Sequence, residues 1–299
     1  MKISQLASFG ASLLGGGTKT GIAEGLGVLA LAADAATGRP QGSGLTAAVV
    51  AAEFSRRLGD DVATQKDAYH YALLRFIGCT ITSHETGSLS FGDDQGLAVA
   101  TLLSDWADRA DVKKNLEHFV ALDAPDDERD AAFEYFCDIL PDAALDFATG
   151  HCHQAYLLAR RLPISTAVLE SIPYYYGRWD GKVFPYGGLD LPYLQRLQRV
   201  TELAELVRRV ENPGRAKEVI AAKLGHELDP TLGAKFLEHA DEVFRAASKT
   251  PEFESFVAAE PGARVLMTPK CRNTLAEIAA DMTDQKALCF LSHSRRVAG

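Results

Sequence analysis

No pair of cysteines in this chain is spaced as CxxC. Cys79, Cys137, Cys152, Cys271 and Cys289 are scattered and odd in number, which excludes a zinc ribbon and gives no disulfide framework. Thiols set in apolar stretches fit a reducing compartment, so a cytoplasmic protein is expected. A basic excess is also missing. The net charge of -9 leaves no broad positive face for nucleic acid, although local basic patches stay open. The most apolar run, 26–36, is too short to cross a bilayer and contains Asp34. Past Lys2 the chain is broken by Ser, Gly and Gln, without the apolar centre of a signal peptide. No membrane role is expected. One further absence matters below: no histidine precedes His70.

What is present is an ordinary globular composition, 47% hydrophobic and 24% charged over 299 residues, enough for one large domain or two smaller ones. Helical punctuation dominates. Asp190-Leu191-Pro192 opens a helix that stops at Asn212-Pro213-Gly214. Within it Leu194, Leu197, Val200, Leu203, Val207 and Val210 recur every three or four residues, with Arg196, Arg199, Glu202, Glu205 and Arg209 opposite. Further helices run from Pro213 to near Gly225 and from Asp229-Pro230 through Phe236 and Phe244. An earlier one carries Ala47, Val50, Phe54 and Leu58 and closes at Gly59. Residues 68–77 are apolar nearly all round and predict a helix at the centre of a bundle. Gly15-Gly16-Gly17 and Gly42-Ser43-Gly44 read as flexible joints, and a boundary is expected between 248 and 249, with a last helix from about Cys271. Period-two alternation is scarce, so the fold class is all-α.

Arg178-Trp179-Asp180-Gly181-Lys182-Val183-Phe184-Pro185, followed by Gly187 and Pro192, resembles the signature loop of HD-GYP phosphohydrolases, in which His-His-Glu leads into Asp-Gly-x-Gly-Tyr-Pro. Leu73 to Cys79 resembles the Leu-His-Asp-Ile-Gly-Lys segment of the HD superfamily. His151 with Ala155 resembles the family's next histidine and its small residue four positions on. Glu202 falls where the last acidic ligand would stand, and 225–230 resembles a Gly-x-x-Phe-Asp-Pro element. The resemblance covers roughly residues 25 to 245. It implies an HD-like helical bundle and, in the family, two or three metal ions that activate water against a cyclic dinucleotide phosphodiester.

The residues at those positions depart from the pattern. The His-Asp pair is Arg75-Phe76, and a guanidinium and a phenyl ring do not ligate cations. Tyr175, Tyr176 and Gly177 replace His-His-Glu. The first ligand would fall near Ser43 or Gly44, where no histidine stands. His151 and Glu202 remain, too few for a dinuclear centre. No catalytic residue and no resident metal are therefore expected, manganese, iron or magnesium at low occupancy being the exception. Val183 and Phe184 in place of Gly-Tyr also put the family's substrate in doubt.

Three readings follow. In the first, the chain is a bacterial signalling module without catalysis that binds a nucleotide or a protein, an adjoining HD-GYP domain or a second copy of itself. Arg178, Trp179, Asp180, Lys182, Arg196 and Arg199, with Arg160 and Arg161 upstream, would then form a basic pocket, and Tyr174 to Tyr176 would stack on a base. Against that pocket stands the alternative that the aromatic rings fill the volume of lost ligands while the basic residues are solvated. The second reading is a weak metal-dependent phosphohydrolase using His84, Glu85 or His153 around His151. The third is a structural scaffold. On their own residues, His151 reads as a hydrogen-bonded boundary histidine and Glu202 as half of a solvated ion pair on a polar face. Residues 1–248 would form the HD-GYP-like domain. Residues 249–299 would form a linker and a helix, ending in Ser292-His293-Ser294-Arg295-Arg296-Val297-Ala298, which resembles the opening of a second HD domain.

Overall fold

The computed structural model describes residues 20–184, 186–248, 253–286 and 288–298. The glycines at 15–17, Pro185 and the start of the expected boundary at 249 lie outside the described residues. Three helices come first, α1 (Ile22–Ala36), α2 (Ser43–Leu58) and α3 (Val62–Leu73), and lead into a 3-10 turn, Cys79–Thr82. Then follow α4 (Ser83–Leu89), α5 (Asp94–Leu103), α6 (Arg109–Phe119), the long α7 (Asp126–Ala159) and the short α8 (Thr166–Ser171). Past a loop lie α9 (Tyr193–Val210), α10 (Pro213–Lys223) and α11 (Pro230–Ala247), and after them α12 (Phe253–Ala258), α13 (Pro269–Asp284) and α14 (His293–Ala298). Among the described residues there is no strand, only two isolated bridges.

The helix starts follow the local chemistry. Asp61, Asn212, Asp229 and Thr268 each accept a backbone N–H from the first turn of α3, α10, α11 and α13, satisfying donors that the helix leaves open. Proline occupies the first turn of α10, α11 and α13, where no N–H is needed. Two expectations need correction. Ser43 and Gly44 are not a joint: they are buried in the first turn of α2, and a side chain at Gly44 would press on Ala30 of α1. The apolar segment 68–77 is helical only to Leu73. Arg75 and Cys79 then donate to carbonyls three residues back, which tightens the chain into turns.

The core divides in two. The larger part joins Leu26 and Leu29 of α1, Phe54 of α2, Tyr69 and Leu73 of α3, the far end of α7, Leu197 and Val200 of α9, and Phe236 of α11. Each such side chain contributes about 1.5–3 kcal/mol on leaving water. Phe256, Met267, Leu275 and Ile278 belong to the same cluster, and Tyr69 donates from its hydroxyl to the carbonyl of Phe256 at 2.9 Å. The segment beyond 249 therefore shares the core of what precedes it. The smaller cluster holds Leu97, Ala100, Val112, Leu116, Phe133, Cys137 and Leu140, from α5, α6 and the first half of α7. The 34 residues of α7 connect the two, and the candidate site lies where they meet.

Candidate functional site

Gly78 sets the geometry. Any side chain there would run into the backbone of His151 and Ala155, so the turn after α3 lies directly on α7. The two segments that resemble HD sequences are thus in contact through their smallest residues. That contact brings Arg75, Phe76, His151, Tyr175, Tyr176 and Glu202 to one place.

Arg75 is at its centre. The residue is 3% exposed, and its guanidinium carbon lies 4.8 Å from the ring centre of Phe76, 4.9 Å from that of Tyr175 and 4.6 Å from that of Tyr176. Its Nε donates to Glu202 Oε2 at 3.2 Å. The expectation of a solvated Glu202 is wrong: the residue is 3% exposed, on a face of α9 that is turned inward. Burial opposes its charge, but Arg75, Arg199 and Arg39 together hold its carboxyl below the usual range. Burial likewise works against the charge on Arg75, and Glu202 together with Tyr176, Cys79 and Cys152 outweighs it. A positive group thus occupies the middle of the site, surrounded by ring faces that favour cations. Tyr71 and Tyr175 stack behind it at 4.5 Å.

On the α1 side stand two residues that were not singled out for chemistry, Asp34 and Arg39. Asp34 is 1% exposed, accepts the N–H of Gly44 and lies 3.7 Å from Arg39 Nε. Burial, only partly offset by Arg39, raises its carboxyl to about 6. Arg39 is 7% exposed and rests its guanidinium carbon 3.8 Å above the Phe76 ring. Its Nε and Nη1 have no hydrogen-bond partner. A charge inside the most apolar run of the sequence was the available sign of this pair.

The signature-like loop is fastened rather than open. Trp179 and Asp180 donate their backbone N–H groups to the carbonyls of Glu227 and His226, so the segments 178–188 and 223–230 meet. Arg178 is buried and grips Asp180 with two hydrogen bonds of 2.9 Å and Asp105 with a third at 2.6 Å. Arg196 pairs with Asp229 at 2.5 Å, and Arg199 with Glu227 at 2.8 Å. Trp179 is half-buried and Lys182 exposed. Upstream, Arg161 pairs with Glu277 and Asp281 of α13, and Arg160 is exposed. The loop arginines are thus neither solvated nor free: each holds a carboxylate. Phe184 is 7% exposed, against Trp106 and Tyr176. Val183 keeps a φ of 68°, a backbone state that suits glycine and is strained for a β-branched residue. Between Arg75, Arg178 and Arg199 remains a cavity of about 30 Å³, too small for a nucleotide.

Whether these residues fit a dinuclear metal centre follows from the donors. His151 has both ring nitrogens engaged, Nε2 with Thr82 Oγ1 at 2.6 Å and Nδ1 with the Tyr176 hydroxyl at 2.8 Å. Glu202 has one oxygen, Oε1, without a partner. His153 is exposed, and the side chains of His84 and Glu85 lie outside the described residues. Among the described residues no group of three or more His, Cys, Asp or Glu side chains could hold a metal ion. Among the described side chains the donors do not fit a dinuclear centre, since Arg75 and Phe76 stand at the positions that resemble the family's His-Asp pair.

On the other side of Phe76 and His151 opens a larger cavity of about 150 Å³, where α5 and α7 face the bundle. Its walls are mostly apolar, with Leu97, Trp106, Phe136, Leu140 and Phe147 among them. Arg39 and Asp94 are its charged members. No sequence motif marked it, because its lining comes from stretches far apart in the chain.

No protein-family model and no curated protein matches this sequence. Among solved structures, that of a cyclic GMP-AMP-specific phosphodiesterase of V. cholerae, V-cGAP3, is similar with a TM-score of 0.68 at 16% sequence identity. The match covers 94% of this chain and 64% of that one, so the chain spans less than two thirds of the structure that it matches. The likeness shows the fold: an all-α, HD-domain-like bundle. No described helix is long and apolar enough to cross a membrane.

Proposed function

We propose that this chain is a non-hydrolytic HD-like module that binds a ligand or a protein partner and regulates through that binding. The observation that carries the reading is the enclosed guanidinium of Arg75, held by three aromatic rings and by Glu202. Catalysis on a phosphodiester would need cations there to neutralise charge on the phosphoryl oxygens and to activate water. Here Glu202, the carboxylate best placed to bind a cation, is committed to an arginine.

The fold likeness to a cyclic GMP-AMP phosphodiesterase favours a second reading, a metal-dependent phosphohydrolase that uses His151 with donors outside the described side chains, His84 and Glu85. The two separate in one assay. Purified protein supplied with manganese and iron is incubated with cyclic GMP-AMP and with cyclic di-GMP, and products are followed by chromatography. The expected result is no product above the protein-free control. Turnover that disappears in His151→Ala would establish the hydrolase instead.

A further inference from the structure

The cavity beside Phe76 combines apolar walls with a buried, partly unpaired guanidinium. Its walls are mostly apolar, and its volume of about 150 Å³ matches engineered apolar cavities that take up benzene. Arg39 lines this space; its side chain is 6% exposed, and its buried Nε and Nη1 lack hydrogen-bond partners. Asp34 lies 3.7 Å away and already accepts from Gly44, and Glu202 favours the charge on Arg39 without forming an ion pair with it. A buried guanidinium left partly unpaired is costly, and an anionic acceptor would remove that cost. The loop arginines offer no such opening, since Arg178, Arg196 and Arg199 hold carboxylates of their own.

We infer that this cavity is a binding site for a small apolar monocarboxylic acid, its body among Leu97, Phe136, Leu140 and Phe147 and its carboxylate on Arg39. Asp94 narrows the class. It lines the same cavity, and its Oδ1 is buried without a partner, so a head group richer in negative charge, such as a phosphate, meets repulsion that a single carboxylate meets less. The inference deepens the binding role proposed above and rests on it for its use in regulation.

Cys79 supplies an internal reporter. It lines the cavity, half-buried, whereas Cys137, Cys152 and Cys271 are buried and Cys289 is exposed. Burial opposes its thiolate, but His151 and Arg75 bring the thiol below its ordinary range. In a Cys289→Ser background, alkylation therefore reads the occupancy of the cavity.

The test uses the full chain and 3-phenylpropanoate. Calorimetric titration should give saturable one-to-one binding, and the same acid should slow alkylation of Cys79. Arg39→Met, which keeps the stem and removes the charge, should weaken binding about ten- to hundredfold. Ala143→Phe fills the cavity from α7 and should abolish binding without touching Arg39, and circular dichroism checks that both variants fold. Phenyl phosphate should bind at least tenfold more weakly than the acid. The inference is overturned by no saturable binding of the acid to the wild-type chain, by equal affinity of Arg39→Met, or by phenyl phosphate binding as tightly. Hydrolysis of cyclic GMP-AMP is measured on the same preparation. Turnover there sinks the non-hydrolytic reading while the Arg39 result stands on its own.

Discussion

Two regions meet at Phe76 and His151, and they differ in how their charges are satisfied. On the loop side, Arg75, Arg178, Arg196 and Arg199 each face a carboxylate, aromatic rings fill the gaps, and the remaining cavity is about 30 Å³. On the helical side, Arg39 has nitrogens without partners and lines a mostly apolar space of about 150 Å³. The positive charge that looks like a binding surface in the sequence is structural. The charge left partly unpaired sits at an unremarkable Gly-Arg-Pro.

The strongest way to break this comparison is to unbalance the sealed side. Glu202→Gln leaves Arg75 buried without its carboxylate and should cost about 3–5 kcal/mol in urea denaturation. The double change Arg75→Met with Glu202→Leu removes both charges and should recover most of that loss. A small effect of Glu202→Gln would mean that the pair is hydrated and the site less closed than described.

Next in size is the pH response of Asp34. Its carboxyl goes from 3.8 to about 6 on folding, so the folded chain holds the proton more tightly and ionisation works against the fold. Relative to Asp34→Asn, the wild-type chain should lose roughly 3 kcal/mol as pH rises from about 4 to about 6, and no more above that. Stability curves of both proteins across pH check this, and a flat difference would contradict it.

Smaller again is the strain at Val183. Val183→Gly should raise stability by about 1 kcal/mol, the release of a left-handed valine less the added freedom of the unfolded chain. A fall on thermal unfolding would mean that the Val183 side chain contributes more by packing than its backbone costs. The smallest effect is expected at Arg109, which pairs with Glu134 and Asp138 at 2.6 Å, closer than Arg75 approaches Glu202, but on the exposed surface. Arg109→Ala should leave the unfolding midpoint unchanged within error, since solvent screens the pair. Burial rather than distance decides which ion pair matters.

Much of the fold was legible in the sequence. The helices that open at Asn212 and Asp229 follow their caps and prolines, because capping is local chemistry, whereas the one expected at Asp190 begins at Tyr193, after Pro192 and without a side-chain cap. The segments that resembled HD sequences do come together, at Gly78, His151, the loop from Arg178 to Phe184, α9 and residues 225–230. Less legible was everything that depends on what a side chain meets across space. Glu202 lies among charged residues on α9 and read as solvated, yet that face of the helix turns inward toward Arg75. Gly44 read as a joint, although its role is to let α1 approach α2. The smaller cluster of α5, α6 and α7 raised no expectation, and with it the cavity was missed. Its lining residues are ordinary core positions until two elements leave space between them.

The most direct test of the account is the metal content of protein purified without chelator from cells supplied with manganese and iron, measured by elemental mass spectrometry. A site centred on the Arg75 guanidinium predicts less than about a tenth of an equivalent of any transition metal. One or more equivalents, lost on changing Glu202 to Gln or His151 to Ala, would contradict it and place cations where the arginine is described.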